Sequence, residues 1–99
     1  MIGIIVPLFQ EAAVFNANKN AAKQPVQISK NLLLFVSGVG ETNAVNAVNI
    51  LAPKVTHLIS WGTAAGLSEL LKPGDLLLPD LILDKNEKRY PTDKIFNEQ

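Results

Sequence analysis

The sequence contains no cysteine, which excludes a disulfide framework and a thiolate metal site. Its one histidine, His57, has no second imidazole with which to share a metal, so a structural role near the start of a strand is the simpler interpretation. The nine basic and nine acidic side chains cancel, which leaves no net positive charge to favour nucleic acid. We therefore predict no metal site and no nucleic-acid partner.

No apolar run approaches the ~18 residues that a membrane-spanning helix needs. The apolar start at residues 1–9 is interrupted by Pro7 and lacks the basic region and cleavage pattern of a signal peptide. These absences predict a cytoplasmic protein without a membrane span. A chain of 99 residues has room for at most one domain, so residues 1–99 are taken as a single domain.

Strand and helix patterns alternate along the chain. Residues 2–6 and 32–36 are apolar throughout, which is typical of strands buried on both faces. Ala44, Ala47, Val48 and Leu51 form one helical stripe, and Pro53 should end that helix. Strands are expected at residues 2–6, 26–28, 32–36, 57–60 and 76–83, helices at about 10–17 and 44–51, and a charged loop at 84–89. This order predicts an α/β sandwich with a mixed sheet.

The most informative segment follows the strand at residues 57–60. Residues 60–66, SWGTAAG, are mostly small, and the turn Lys72–Asp75 then begins a second apolar run. Small residues where a strand ends let another molecule approach the backbone, which is how α/β folds form ligand crevices. A tight connection that simply needs small residues explains the segment equally well.

Together with Ile2–Ile5 and Ser37–Gly40, this segment resembles the nucleoside phosphorylase and nucleosidase superfamily, which includes purine nucleoside phosphorylase and methylthioadenosine/S-adenosylhomocysteine nucleosidase. The most specific match is the pair Gly62–Leu67 and Leu71–Leu76, because loop and turn are both present. Two segments, Ser60–Gly62 and Leu76–Pro79, are most similar to the hopanoid-associated phosphorylase branch. The resemblance implies a three-layer α/β/α sandwich with a mixed sheet, incomplete here because the chain matches the first half of a typical member.

Glu11 is the candidate catalytic residue. It lies just beyond the first strand, where its carboxylate can reach over the strand's carboxyl end. From the residues alone, a solvated glutamate favoured by the dipole of the following helix is the simpler interpretation. The resemblance implies a catalytic role instead, since a glutamate at this position activates the attacking water in the nucleosidases. A carboxylate can accept a proton from water and can stabilise an oxocarbenium-like sugar.

The loop Ser37–Gly40 joins a strand to a helix whose first amides can bind an anion, although a tight helix entry explains its glycines equally well. Asn43 stands where a dinucleotide-binding fingerprint has its third glycine, so no cofactor is predicted. Trp61 is expected to be a core residue. The resemblance implies that five residues contact the nucleoside substrate: Leu8, Val39, Gly62, Thr63 and Ala64.

The resemblance implies cleavage of the N-glycosidic bond of a purine-type nucleoside or a 5′-modified adenosine, with water or phosphate as co-substrate, by a homo-oligomer. Enzymes that use phosphate generally hold it with guanidinium groups. Bacterial phosphorylases of this family carry arginines in the loop after the first strand and two residues before the glycine–serine loop. Those places hold residues 7–11 and Ser60 here, and the sole arginine, Arg89, fits a surface role. Hydrolysis is therefore favoured over phosphorolysis.

Two other functions are compatible with the sequence. The family's general acid and its ribose-binding carboxylate belong to the second half of a member, so we expect the 99-residue chain to be inactive alone. It would then be a noncatalytic remnant of the same fold that binds a ligand or associates with itself, or a fragment without a function of its own. Half a mixed sheet leaves a strand edge and apolar faces uncovered, which favours self-association.

Overall fold

The computed structural model describes residues 1–16 and 19–93. The chain divides into two compact units, residues 1–64 and 65–99. The first unit contains a four-stranded sheet in the order β2-β3-β1-β4, and the second a two-stranded antiparallel sheet of β5 and β6. The strands are β1 (Ile2–Val6), β2 (Val26–Ser29), β3 (Leu32–Val36), β4 (His57–Ser60), β5 (Leu81–Leu83) and β6 (Arg89–Pro91).

The sheet of the first unit is mixed, as the sequence predicts. β1 pairs in parallel with β3 on one side and with β4 on the other, and β2 is antiparallel to β3. Strands in parallel sheets are buried on both faces, so the side chains on both faces are apolar, and this explains why β1 and β3 are apolar at every position except Gly3. Their alternate side chains point to opposite faces and form two separate apolar clusters.

One face of this sheet packs against helix α1 (Glu41–Leu51). Phe35 of β3 is buried there with Ala47 and Leu51, and Ile5 and Ile50 pack around them. The helix is present as predicted, but its buried stripe is different. Val48 is 40% exposed, so the core contact follows positions 47, 50 and 51 rather than 44, 47, 48 and 51. Both stripes satisfy helical spacing, and only the contact with the sheet distinguishes them.

The other face is covered by two short 3-10 helices, Phe9–Phe15 and Lys19–Ala22. Ala12 and Ala21 are buried there against Ile4 and Val6. The first of them replaces the helix that the sequence predicts over residues 10–17, whose last residue lies outside the described ranges. Asn16 adopts the left-handed conformation (φ 53°) and its amide bonds the Ala13 carbonyl, which ends the helix. A three-layer sandwich with α-helices on both faces is therefore not confirmed.

The second unit corrects one sequence prediction. Only Leu81–Leu83 of the predicted strand 76–83 is a strand. Leu76–Leu78 lie outside any strand, and all three side chains are at least 57% exposed. A strand requires a hydrogen-bonded partner, and Pro79 has no amide to donate to one. The charged segment 84–89 forms the predicted loop, with Arg89 already in β6.

None of the helices in the described part of the chain combines the length and the apolar character required to cross a bilayer.

Candidate active site

The candidate site lies at the carboxyl edge of the four-stranded sheet. Because β1, β3 and β4 run parallel, their carboxyl ends share one edge, where α/β folds usually bind ligands. Two backbone hydrogen bonds extend the pairing past the strand ends. The Ser37 amide donates to the Val6 carbonyl at 2.9 Å, and the Trp61 amide donates to the Ile5 carbonyl at 2.9 Å. Three loops therefore start from fixed positions along this edge.

Glu11 connects two of these loops directly. Its Oε2 accepts hydrogen bonds from the Thr63 amide at 2.5 Å and from the Thr63 hydroxyl at 2.8 Å, although the two residues are 52 positions apart. Its Oε1 accepts a longer bond from the Leu8 amide at 3.2 Å. The Leu8 bond is the usual contact of a glutamate in the first turn of a helix. The two bonds from Thr63 are not, and they fix the carboxylate above the end of β4.

These contacts favour the ionised form of Glu11. The Thr63 hydroxyl lowers the pKa of the carboxyl group most, followed by the Thr63 amide, and the Leu8 amide lowers it further. Partial desolvation opposes these effects without reversing them. With its pKa below the usual value, Glu11 carries its negative charge at neutral pH. It can therefore act as a proton acceptor or as an anion that stabilises positive charge, but not as a proton donor.

Gly62 allows Glu11 to reach Thr63. A Cβ atom at position 62 would lie 3.0 Å from Oε2, closer than ordinary contact. The sequence suggested that small residues here admit a ligand, and the structure shows that Gly62 admits the chain's own carboxylate. Gly66, within the second unit, has a packing role, because a Cβ there would lie 3.2 Å from the Cβ of Leu71. The packing interpretation of this segment therefore holds at Gly66, and the approach of another molecule to the backbone stays a prediction.

The remaining predicted residues differ in how closely they join this group. Leu8 contacts Glu11 through its amide, and its side chain is 45% exposed. Ala64 is the exposed residue after Thr63. Val39 lies on the loop after β3 at the same edge, and its side chain is 65% exposed. Contacts thus bring together Leu8, Glu11, Gly62 and Thr63, whereas Val39 shares only the edge of the sheet.

The loop after β3 is held by a residue that the sequence did not single out for this purpose. Asn43 donates a hydrogen bond from Nδ2 to the Val39 carbonyl at 2.8 Å. Gly38 and Gly40 both have positive φ, 86° and 99°, which only glycine adopts without strain. The signal for this contact was present in the sequence as an asparagine three residues after Gly40, in the first turn of α1.

The sequence offers two further titratable candidates, His57 and Arg89. His57 Nδ1 is 3.0 Å from the Thr56 hydroxyl oxygen. Arg89 is exposed in β6 of the second unit. Within residues 1–16 and 19–93, no three histidine or carboxylate side chains are grouped so that they could hold a metal ion.

Comparison with known proteins identifies the family of the chain. A family model described as the phosphorylase superfamily matches residues 2–97, nearly the whole chain. Comparison with curated proteins finds no significant match. Comparison with solved structures finds none either.

Proposed function

Because the chain belongs to the phosphorylase superfamily, a family of nucleoside-processing enzymes, we propose that its site serves cleavage of an N-glycosidic bond. The substrate class is a purine-type nucleoside or a 5′-modified adenosine. Glu11 activates the attacking water or stabilises the positive charge of the sugar. The observation that carries the proposal is the carboxylate of Glu11 held by Thr63 at the carboxyl edge of parallel strands.

The two oxygens of Glu11 are suited to different tasks. Oε2 accepts two short bonds from Thr63, whereas Oε1 accepts one bond of 3.2 Å from Leu8. Oε1 therefore has the more available lone pairs and is the atom we assign to water. In this scheme the water oxygen bonds to the anomeric carbon and its proton passes to Oε1. The bond between sugar and base breaks, and the base departs with its electron pair.

The charge at this edge favours water over phosphate as the nucleophile. Glu11 is negative at neutral pH and repels a phosphate dianion, and Ser60 at the end of β4 is neutral. Arginine is the usual phosphate-binding side chain, and residues 1–64 contain no arginine. Product formed only with phosphate, and recovered as the sugar 1-phosphate, would show that the reaction is phosphorolysis.

The proposed role of Glu11 is tested by substitution. In any form of the protein that turns over, Glu11→Gln should lower kcat strongly and change KM little, because the amide keeps the size and loses the charge. The matched control is Glu69→Gln, which alters an exposed glutamate of the second unit. Equal loss in kcat and in substrate affinity would instead indicate that Glu11 is only a binding or surface residue.

A second candidate is supported by the surface of the second unit. Leu67 is 98% exposed and Leu70 is 88% exposed, and large apolar side chains left in water favour association. A noncatalytic protein that binds a ligand or associates with itself would use this surface. Light scattering across a range of protein concentrations distinguishes the cases, since a compact monomer at high concentration excludes self-association and with it the homo-oligomer.

A further inference from the structure

A second contact joins the two segments that the Glu11–Thr63 hydrogen bonds connect. The rings of Phe15 and Trp61 meet edge to face, with their centroids 5.5 Å apart and their planes at 71°. Phe15 lies four residues after Glu11, and Trp61 lies two residues before Thr63. The same short helix and the same loop are therefore attached at two points, one polar and one aromatic.

Each ring is fixed by its own element. Trp61 is held at its backbone, because its amide donates to the Ile5 carbonyl of β1. In a 3-10 helix, residues three apart lie on the same side, so Phe15 shares the side of the buried Ala12. Both rings pack against the apolar cluster on this face of the sheet. The aromatic contact thus links the helix to the end of the strand pairing.

We propose that Phe15 and Trp61 are positioning residues for Glu11, whose edge-to-face contact holds the first 3-10 helix where the carboxylate reaches Thr63. Glu11 is partly exposed, so its hydrogen bonds compete with water, and they orient the carboxylate without by themselves determining where the helix lies. The two rings are partly exposed as well, but a contact between apolar rings has no such competition. The importance of this positioning for catalysis rests on the proposed function. The positioning of Glu11 by the two rings does not depend on that function.

The test uses the full 99-residue chain and requires no substrate. Trp61→Leu and Phe15→Leu each remove one ring and keep an apolar side chain, and Trp61→Phe keeps an aromatic edge contact. Val14→Ala changes an exposed side chain on the same helix and is the control. The readouts are hydrogen exchange at the Thr63 amide and the carboxyl pKa of Glu11, both by NMR.

We expect the two leucine variants to exchange the Thr63 amide at least about tenfold faster, because a hydrogen bond to a charged acceptor is loosened. The pKa of Glu11 should rise toward the ordinary value for glutamate in both. Trp61→Phe should restore most of the protection, and Val14→Ala should change neither readout. The amide of Trp61 reports whether the pairing of β1 and β4 remains intact.

Thr63 protection and a low Glu11 pKa that persist in folded Trp61→Leu would overturn the proposal. Loss of the β1–β4 pairing in both leucine variants would overturn it too, since the rings would then be general core contacts. In a form of the protein that turns over, an unchanged kcat in Glu11→Gln would refute the proposed function and leave the positioning role standing.

Discussion

Replacing Gly62 by alanine tests the geometry of the candidate site most directly. The backbone at this position needs no positive φ, so alanine introduces no backbone strain. Its Cβ would lie 3.0 Å from Oε2 of Glu11, and ordinary contact begins near 3.4 Å. The carboxylate must therefore retreat by about 0.4 Å. A retreat of this size along the Thr63 hydroxyl bond would lengthen it from 2.8 Å to about 3.2 Å, near the limit for a useful hydrogen bond.

Two consequences should follow from that retreat. The pKa of Glu11 should rise, because the Thr63 hydroxyl is the strongest of the groups that lower it. Turnover, where it is measurable, should fall about tenfold, since displacements near 1 Å cost about a hundredfold in well-oriented sites. NMR titration of the Glu11 carboxyl measures the first effect, and steady-state kinetics measures the second.

Gly66→Ala is the matched control, because its Cβ would press on Leu71 and not on Glu11. An unchanged Glu11 pKa in folded Gly62→Ala would refute the reasoning, since the carboxylate would then have room that the structure does not show. Equal changes in both variants would also refute it, because the effect would belong to the loop and not to the contact.

Three further predictions concern stability and activity. Leu34→Ala should lower the free energy of unfolding by about 2–5 kcal/mol, because Leu34 is fully buried, and urea denaturation measures this. The pKa of Asp84 is lowered by the Lys88 amide first, then by the Asn86 amide and the Tyr90 hydroxyl. Because this pKa is lowered, ionised Asp84 stabilises the turn between β5 and β6 fully at pH values above 3.8, the ordinary pKa of the group. The stabilisation is lost as the pH falls through the folded-state pKa. The protection of the Lys88 amide, measured as its exchange rate relative to that of an unstructured chain at the same pH, should therefore fall in acid and stay constant between pH 6 and pH 8. Finally, the 99-residue chain alone should release no base from adenosine, inosine or methylthioadenosine, because Glu11 is the one carboxylate that the described residues bring to Thr63. Base release that disappears in Glu11→Gln would contradict this.

The sheet could be predicted from sequence because its central strands carry a strong signal. β1 and β3 are apolar runs since both of their faces are covered, and that burial is what the pattern records. The same signal failed at Leu76–Leu78. An apolar run indicates a tendency toward burial, but a strand also needs a hydrogen-bonded partner, which residue composition does not encode.

The position of Glu11 could be inferred, but its contacts could not. A parallel sheet brings the ends of β1 and β4 to one edge, so a meeting of their loops follows once the strand order is known. The bonds to Thr63 depend on a 3-10 helix that ends at Asn16, on the room beside Gly62 and on the packing of Phe15 against Trp61. The last two join residues far apart in the chain, and no local pattern records them.

The hydrogen bonds of Glu11 also bear on which of its two proposed roles is the principal one. A general base works best when its pKa lies near the working pH, and the Thr63 and Leu8 contacts move the pKa of Glu11 away from neutrality. The same contacts keep the charge fixed in place, which is what electrostatic stabilisation of a positive sugar requires. We therefore expect charge stabilisation to dominate.

Thr63→Val removes the hydroxyl that lowers the pKa most, so it should raise the pKa of Glu11 and loosen the carboxylate. If Glu11 mainly stabilises charge, this variant should lose turnover. If Glu11 mainly accepts a proton, the higher pKa should maintain or raise turnover at neutral pH. A pH–rate profile of Thr63→Val beside the parent protein decides between them, and turnover at or above the parent's would show that proton acceptance is the main role.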